Sequence, residues 1–183
     1  ISIVQAYTRP GVDALIIAPT DRERLVESVR KAAELGIKII VVDSAVDGNY
    51  HQNFITTDNF SGGKLAAKRL SDLLNGQGNV VVYRTVAGSA STDDRANGFV
   101  EYLKEKSPKM TIVADEYGGG SKGKSLRSAT ALLKRLPQVD GIFAVNESSS
   151  DGMLRALRSG GLAGQVKFVG FDATKFLLEG LEN

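Results

Sequence analysis

Asp43, Asn146 and Asp172 each follow directly on an apolar run, at 37–42, 141–145 and 166–171. Arg95 stands a little beyond the run 79–86, near the start of an amphipathic segment. A carboxylate only accepts hydrogen bonds, a guanidinium only donates them in a planar fork, and an amide does both. Such a set satisfies a ring of adjacent hydroxyls, each of which donates and accepts. The chemistry it points to is binding of a sugar or another polyol. Singly, each residue has a plainer role: an aspartate after a strand caps a helix, and an asparagine there completes a turn. Their joint occurrence at equivalent positions favours a ligand.

A second constellation asks for different chemistry. Residues 118–125 read GGGSKGKS and fit the phosphate-binding pattern G-x-x-x-x-G-K-[ST]. An apolar segment, 111–114, lies ahead of it and a helical stripe, 126–136, behind. Lys124 would meet a polyphosphate, and Asp172 is the carboxylate placed to share a magnesium ion. Against this, the apolar run breaks at Asp115 and Glu116, two anions where the polyphosphate would sit. A nucleotide hydrolase is therefore a remote alternative.

Other reactive groups are sparse. Ser148, Ser149 and Ser150 follow a strand, but the one histidine, His51, sits in the loop 47–52 and reads as a surface residue rather than a base. Neither histidine nor carboxylates cluster at ligand spacing, and there is no cysteine, so no metal site and no thiol chemistry are expected. Glu147 reads as a helix start, where its charge suits the helix dipole. Neither an enzyme nor a cofactor is expected.

Positioning the polar set takes alternating strands and helices. Apolar runs at 12–18, 37–42, 54–56, 79–86, 111–114, 141–145 and 166–171 read as strands. Between them, Leu25, Val29, Ala32 and Ala33 form one helical stripe, and Ala66, Leu70, Leu73 and Leu74 another. Further stripes are Ala96, Phe99, Val100 and Leu103; Leu126, Ala129, Leu133 and Leu136; and Met153, Leu154 and Leu157. Strands this apolar, separated by helices, predict a doubly wound α/β fold with parallel sheets covered on both faces. In such sheets ligands bind outside the carboxyl ends of the strands, where Asp43, Asn146 and Asp172 fall. Residues 47–50 and 58–63 read as joints between two lobes.

Bulk composition excludes several classes. Net charge is +2 with both signs interspersed, and the densest basic stretch, Lys104, Lys106 and Lys109, is broken by Glu105. Nucleic-acid binding is not indicated for this segment. No apolar run reaches membrane-spanning length. The sequence opens at Ile1 in what reads as the end of a helix, without an initiator methionine or signal peptide, and is expected to be part of something longer.

Six stretches taken in order carry a family resemblance: GVDALIIAP (11–19), GIKIIVVD (36–43), TDNFSGG (57–63), AGSASTDDRANGF (87–99), GIFAVN (141–146) and VGFD (169–172). The chain resembles the periplasmic sugar-binding proteins of the ribose-binding type, the solute receptors of ABC importers. The resemblance implies the two-lobed periplasmic-binding-protein-like type I fold in truncated form, with residues 1–58 a partial first lobe and 59–183 the second. It implies that Asp43, Arg95, Asn146 and Asp172 contact sugar hydroxyls as the lobes close. Ser44 stands where some members carry an arginine clamp, and Tyr117 aligns loosely with an aromatic contact. Residues 118–125 fall on a variable loop of the family. A first strand would precede Ile1 and a returning segment would follow Asn183, so the 183-residue chain is expected to self-associate through uncovered apolar surface. The implied partner is a membrane permease, and the implied location periplasmic, or extracellular with a lipid anchor. The effector core of a lactose-repressor-type regulator shares this fold and is the alternative.

Overall fold

The computed structural model describes residues 1–136 and 138–181. It divides into two compact units, one of residues 1–58 with 88–93, the other of 59–87 with the chain from Asp94 on.

The first unit contains α1 (Ser2–Tyr7), β1 (Ala14–Ile17), α2 (Val26–Glu34), β2 (Lys38–Val42) and β3 (Asn53–Ile55). Its strands form one parallel sheet in the order β1-β2-β3. Alternation along each strand sends Ile39 and Val41 to one face, where Leu25, Val29 and Ala32 of the α2 segment bury them. The opposite face differs from the expectation of two covered faces: Ile16 points there and remains 70% exposed. Helices of this unit pack on each other, Val4 of α1 joining the α2 cluster, rather than on both sides of the sheet.

The second unit contains α3 (Asn59–Leu73), β4 (Gln77–Arg84), α4 (Ala90–Lys106, its first residues grouped with the first unit), β5 (Lys109–Tyr117), α5 (Lys122–Arg135), β6 (Gly141–Ala144), α6 (Glu147–Ser159), β7 (Lys167–Gly170) and α7 (Lys175–Glu179). Its parallel sheet has the order β5-β4-β6-β7. Val80, Val82, Phe143 and Val145 face α3 and α4, and Phe99 stacks on Phe143 with ring centroids 4.7 Å apart. Val81, Tyr83, Ile142 and Ala144 face α5 and α6. Here both sides are covered, and each fully buried large side chain contributes roughly 1.5–3 kcal/mol. From β4 the chain passes to β5 on one side and then to β6 on the other, so the sheet's switch point lies between β4 and β6.

Two elements differ from the sequence reading. β5 does not stop at Ala114 but runs on through Asp115 and Glu116 to Tyr117. It is an edge strand, and its charged side chains leave the sheet: Asp115 pairs with Arg84 at 2.5 Å, and Glu116 with Arg135. The register slips between Val80 and Val81, leaving Val113 as the extra residue of a bulge. The short α7, capped by the Thr174 hydroxyl, has too few residues for a helical stripe to show in the sequence. No helix among the described residues is long and apolar enough to cross a membrane.

Candidate ligand-binding site

Asp43 and Asp172 each follow a parallel strand, and both adopt left-handed backbone conformations, φ 66° and 73°. Aspartate tolerates that region better than most residues, and its use twice at strand ends turns the chain sharply where the carboxylate is displayed. In the first unit, Asp43 is exposed. Its backbone is pinned from both sides, its N–H donating to Ile55 O at 2.9 Å and its carbonyl accepting from Thr56 Oγ1 at 2.5 Å. Ser44 is buried, and its hydroxyl accepts from the Ser91 N–H at 3.1 Å.

Three candidates in the second unit interlock. Arg95, 7% exposed, donates from Nη1 to the carbonyl of Val145 at 3.0 Å, the residue before Asn146. Its guanidinium lies 3.8 Å from the ring centroid of Phe171, the residue before Asp172. Asp172 Oδ2 in turn accepts from the N–H of Glu147 at 2.7 Å, the residue after Asn146. From Nε, Arg95 also donates to Asn59 Oδ1 at 2.8 Å. The strand-end positions of β6 and β7 and the sixth residue of α4 are thereby tied into one cluster.

Asn146 is the N-cap of α6. Its Oδ1 accepts from the Ser149 N–H at 3.1 Å and Oγ at 2.8 Å, and Ser149 Oγ receives the Asn146 N–H in return at 3.0 Å. With the amide oxygen committed to the helix, the NH2 is the end of Asn146 suited to donate to a ligand. Arg95 and Asn146 thus bring donors, and Asp172 an acceptor. Glu147 opens α6 and pairs with Lys122 at 2.6 Å, a hydrogen bond that holds the lysine pKa above its ordinary value.

Tyr117 closes β5 with an exposed ring 5.9 Å from the Arg84 guanidinium. A cavity of about 340 Å³ lies in this unit among Leu154, Leu157, Phe168, Leu177 and Leu178, and touches Asp172 but neither Arg95 nor Asn146. Arg158 and Lys167 also line it.

The phosphate-binding pattern is not built as a phosphate site. The N–H groups of Gly118 and Gly119 are bonded to Arg84 O and Thr85 O at 2.9 and 2.8 Å, extending the sheet. Ser125, which would hold magnesium, is fully buried beneath α6, and its carbonyl accepts from Tyr83 Oη at 2.7 Å. Ser149 and Ser150 are likewise buried, engaged in the cap and in bonds to Phe171. Among the described residues no group of histidine and carboxylates is placed to hold a metal.

Asn59 and Phe171, which touch the Arg95 guanidinium, were not singled out by sequence reasoning. Asn59 lies 36 residues from Arg95, and nothing local marks the pair.

Several known proteins resemble this chain. A D-ribose/D-allose-binding protein of Pseudomonas aeruginosa is 33% identical over 94% of this chain and 55% of its own length. A periplasmic component of a sugar transport system from Hahella chejuensis superposes with a TM-score of 0.95 at 38% identity, over 99% of this chain and 66% of the other. An ABC transporter solute-binding protein from Agrobacterium vitis, solved with D-fucose bound, gives 0.93 at 34% identity, over 99% and 63%. The chain spans between half and two thirds of the length of these relatives. All of it, residues 1–183, matches the periplasmic binding protein domain, and the chain belongs to that family.

Proposed function

We propose that this protein is the solute-binding component of an ABC sugar importer and binds a monosaccharide or similar polyol without transforming it. One observation carries the reading: Arg95 contacts the residues adjoining both Asn146 and Asp172, so two donors and an acceptor share one sheet end. A pyranose or furanose ring presents adjacent hydroxyls, each of which both donates and accepts, and so takes both kinds of partner. Asp43, at the equivalent strand end of the first unit, is proposed as a further acceptor, with Ser44 and Tyr117 as minor contacts. The partner is then a membrane permease, and the location periplasmic, or extracellular with a lipid anchor.

Calorimetry on the full-length protein with D-ribose, D-allose, D-fucose, D-arabinose and xylitol tests this. At least one sugar is expected to bind, and Arg95→Ala to weaken it on the order of a hundredfold, as loss of charge-assisted bonds implies. If the panel gives no heat, or Arg95→Ala binds like wild type, the reading is withdrawn.

A further inference from the structure

Arginine carries a long, rotamer-rich side chain, and a ligand that had to order it would lose affinity. In this structure the ordering is done by the protein. The Nε–H bond to Asn59 and the Nη1 bond to Val145 O fix the guanidinium within its plane, and the Phe171 ring fixes the plane itself. Val145 O lies one residue beyond β6, and Phe171 offers the face of its ring. Asn59 accepts from Nε–H, the donor on the side-chain stem, and so bears directly on the rotation. We infer that Asn59 is a positioning residue, which sets the Arg95 guanidinium in its ligand-binding orientation before any sugar arrives.

Three features support this beyond the distance. Asn59 is 6% exposed, so solvent does not compete for the bond. It is the first residue of α3, and α3 is held against α4 by two backbone approaches, Gly63 to Arg95 and Gly98 to Phe60, which leave no space for a side-chain carbon. The separation of residues 59 and 95 is therefore set by the helix crossing. Phe171 is in turn backed by Gly62, where a Cβ would meet its ring at 3.2 Å, so the surface under the guanidinium belongs to the same α3 turn. Asn59 also opens the second unit, so the bond links the place where the chain enters that unit to the proposed ligand contact.

The inference rests on Arg95 being a sugar contact, and the test separates the two claims. Without sugar, the Nε–Hε NMR signal of Arg95, identified by its absence in Arg95→Lys, is expected to be sharp in wild type and in Asn59→Asp, which still accepts the proton. In Asn59→Ala it is expected to broaden. With whichever of D-ribose, D-allose and D-fucose binds tightest, Asn59→Ala is expected to weaken binding about three- to tenfold, the cost of immobilising one such side chain. Asn59→Asp is expected to stay within about twofold, since it keeps the acceptor. Lysine has no Nε–H in that position, so in an Arg95→Lys background Asn59→Ala should cost nothing further. Asn59→Ser, too short to reach, replaces Asn59→Ala where the latter does not fold. An unchanged Nε–Hε signal in Asn59→Ala overturns the inference, as does an equal loss of affinity in the Arg95→Lys background. If Arg95→Ala and Arg95→Lys both bind as wild type, the sugar-contact assignment falls and the inference falls with it.

Discussion

Gly63 sits so close to Arg95 that a Cβ at residue 63 would stand 1.9 Å from the Arg95 carbonyl oxygen. The approach is reciprocated one turn on, where a Cβ at Gly98 would stand 2.0 Å from Phe60 O. Both obstacles are backbone, which cannot swing aside as a side-chain tip can. Gly63→Ala and Gly98→Ala should each force α3 and α4 apart, with a loss of about 3 kcal/mol, the upper part of the range for overpacking. Denaturant melts should show the loss, and sugar affinity should fall with it for Gly63→Ala because Arg95 is carried on the displaced segment. A melt within error of wild type for either variant would show that the helices cross with more freedom than this geometry allows.

Tyr83 is fully buried and donates its hydroxyl to Ser125 O. Removing the donor leaves that carbonyl without the bond, a cost of about 1–3 kcal/mol for Tyr83→Phe by thermal or chemical melt.

Lys124, the lysine of the phosphate-like pattern, follows glycines whose N–H groups are spent on the sheet. ATP with magnesium should give no binding heat, and Lys124→Ala should leave both sugar affinity and melting temperature unchanged. Saturable ATP binding abolished by Lys124→Ala would restore the nucleotide reading.

Glu27 receives hydrogen bonds from Arg30 at 2.7 and 2.9 Å and lies 3.3 Å from Lys31 Nζ, and these hold its carboxyl at about 2 against an ordinary 4.5. A carboxyl depressed by folding contributes stability that is complete above the unfolded value and lost as pH falls toward the folded one. The difference in melting temperature between wild type and Glu27→Gln should therefore be constant above about pH 5 and shrink between pH 4.5 and 2. The group is exposed, so added salt should shrink it too. A difference that does not change across that window would remove the ion pair as its source.

Ile16 is 70% and Ile55 64% exposed on the same face of the first unit's sheet. A polypeptide of these 183 residues should associate through that surface, and Ile16→Lys should reduce the association in light scattering. A monodisperse monomer at tens of micromolar, by contrast, would show that the surface does not drive assembly.

How much of this could be read from the sequence differs from element to element. Stripes such as Leu25, Val29 and Ala32, and apolar runs such as 141–145, identified helices and strands because burial imposes its period on residues one turn or two positions apart. The polar positions at strand ends were legible for the same reason, as breaks in local patterns. β5 was misjudged beyond Ala114 because an edge strand tolerates charge that a central strand does not, and only pairing with β4 shows which it is. GGGSKGKS matches the pattern without forming the site, because a residue pattern does not tell which backbone N–H groups a neighbouring strand already holds.

By itself the sequence determined the alternation of elements, the parallel α/β class and the strand-end placement of Asp43, Asn146 and Asp172. Tertiary structure alone decided the order β5-β4-β6-β7, the uncovered face of the first sheet, the burial of Ser125, and the grip of Asn59 and Phe171 on Arg95. The reason is one of range. Periodicity is written among near neighbours, whereas contacts between residues far apart in the chain exist only after helices and strands have found the packing that buries most apolar surface.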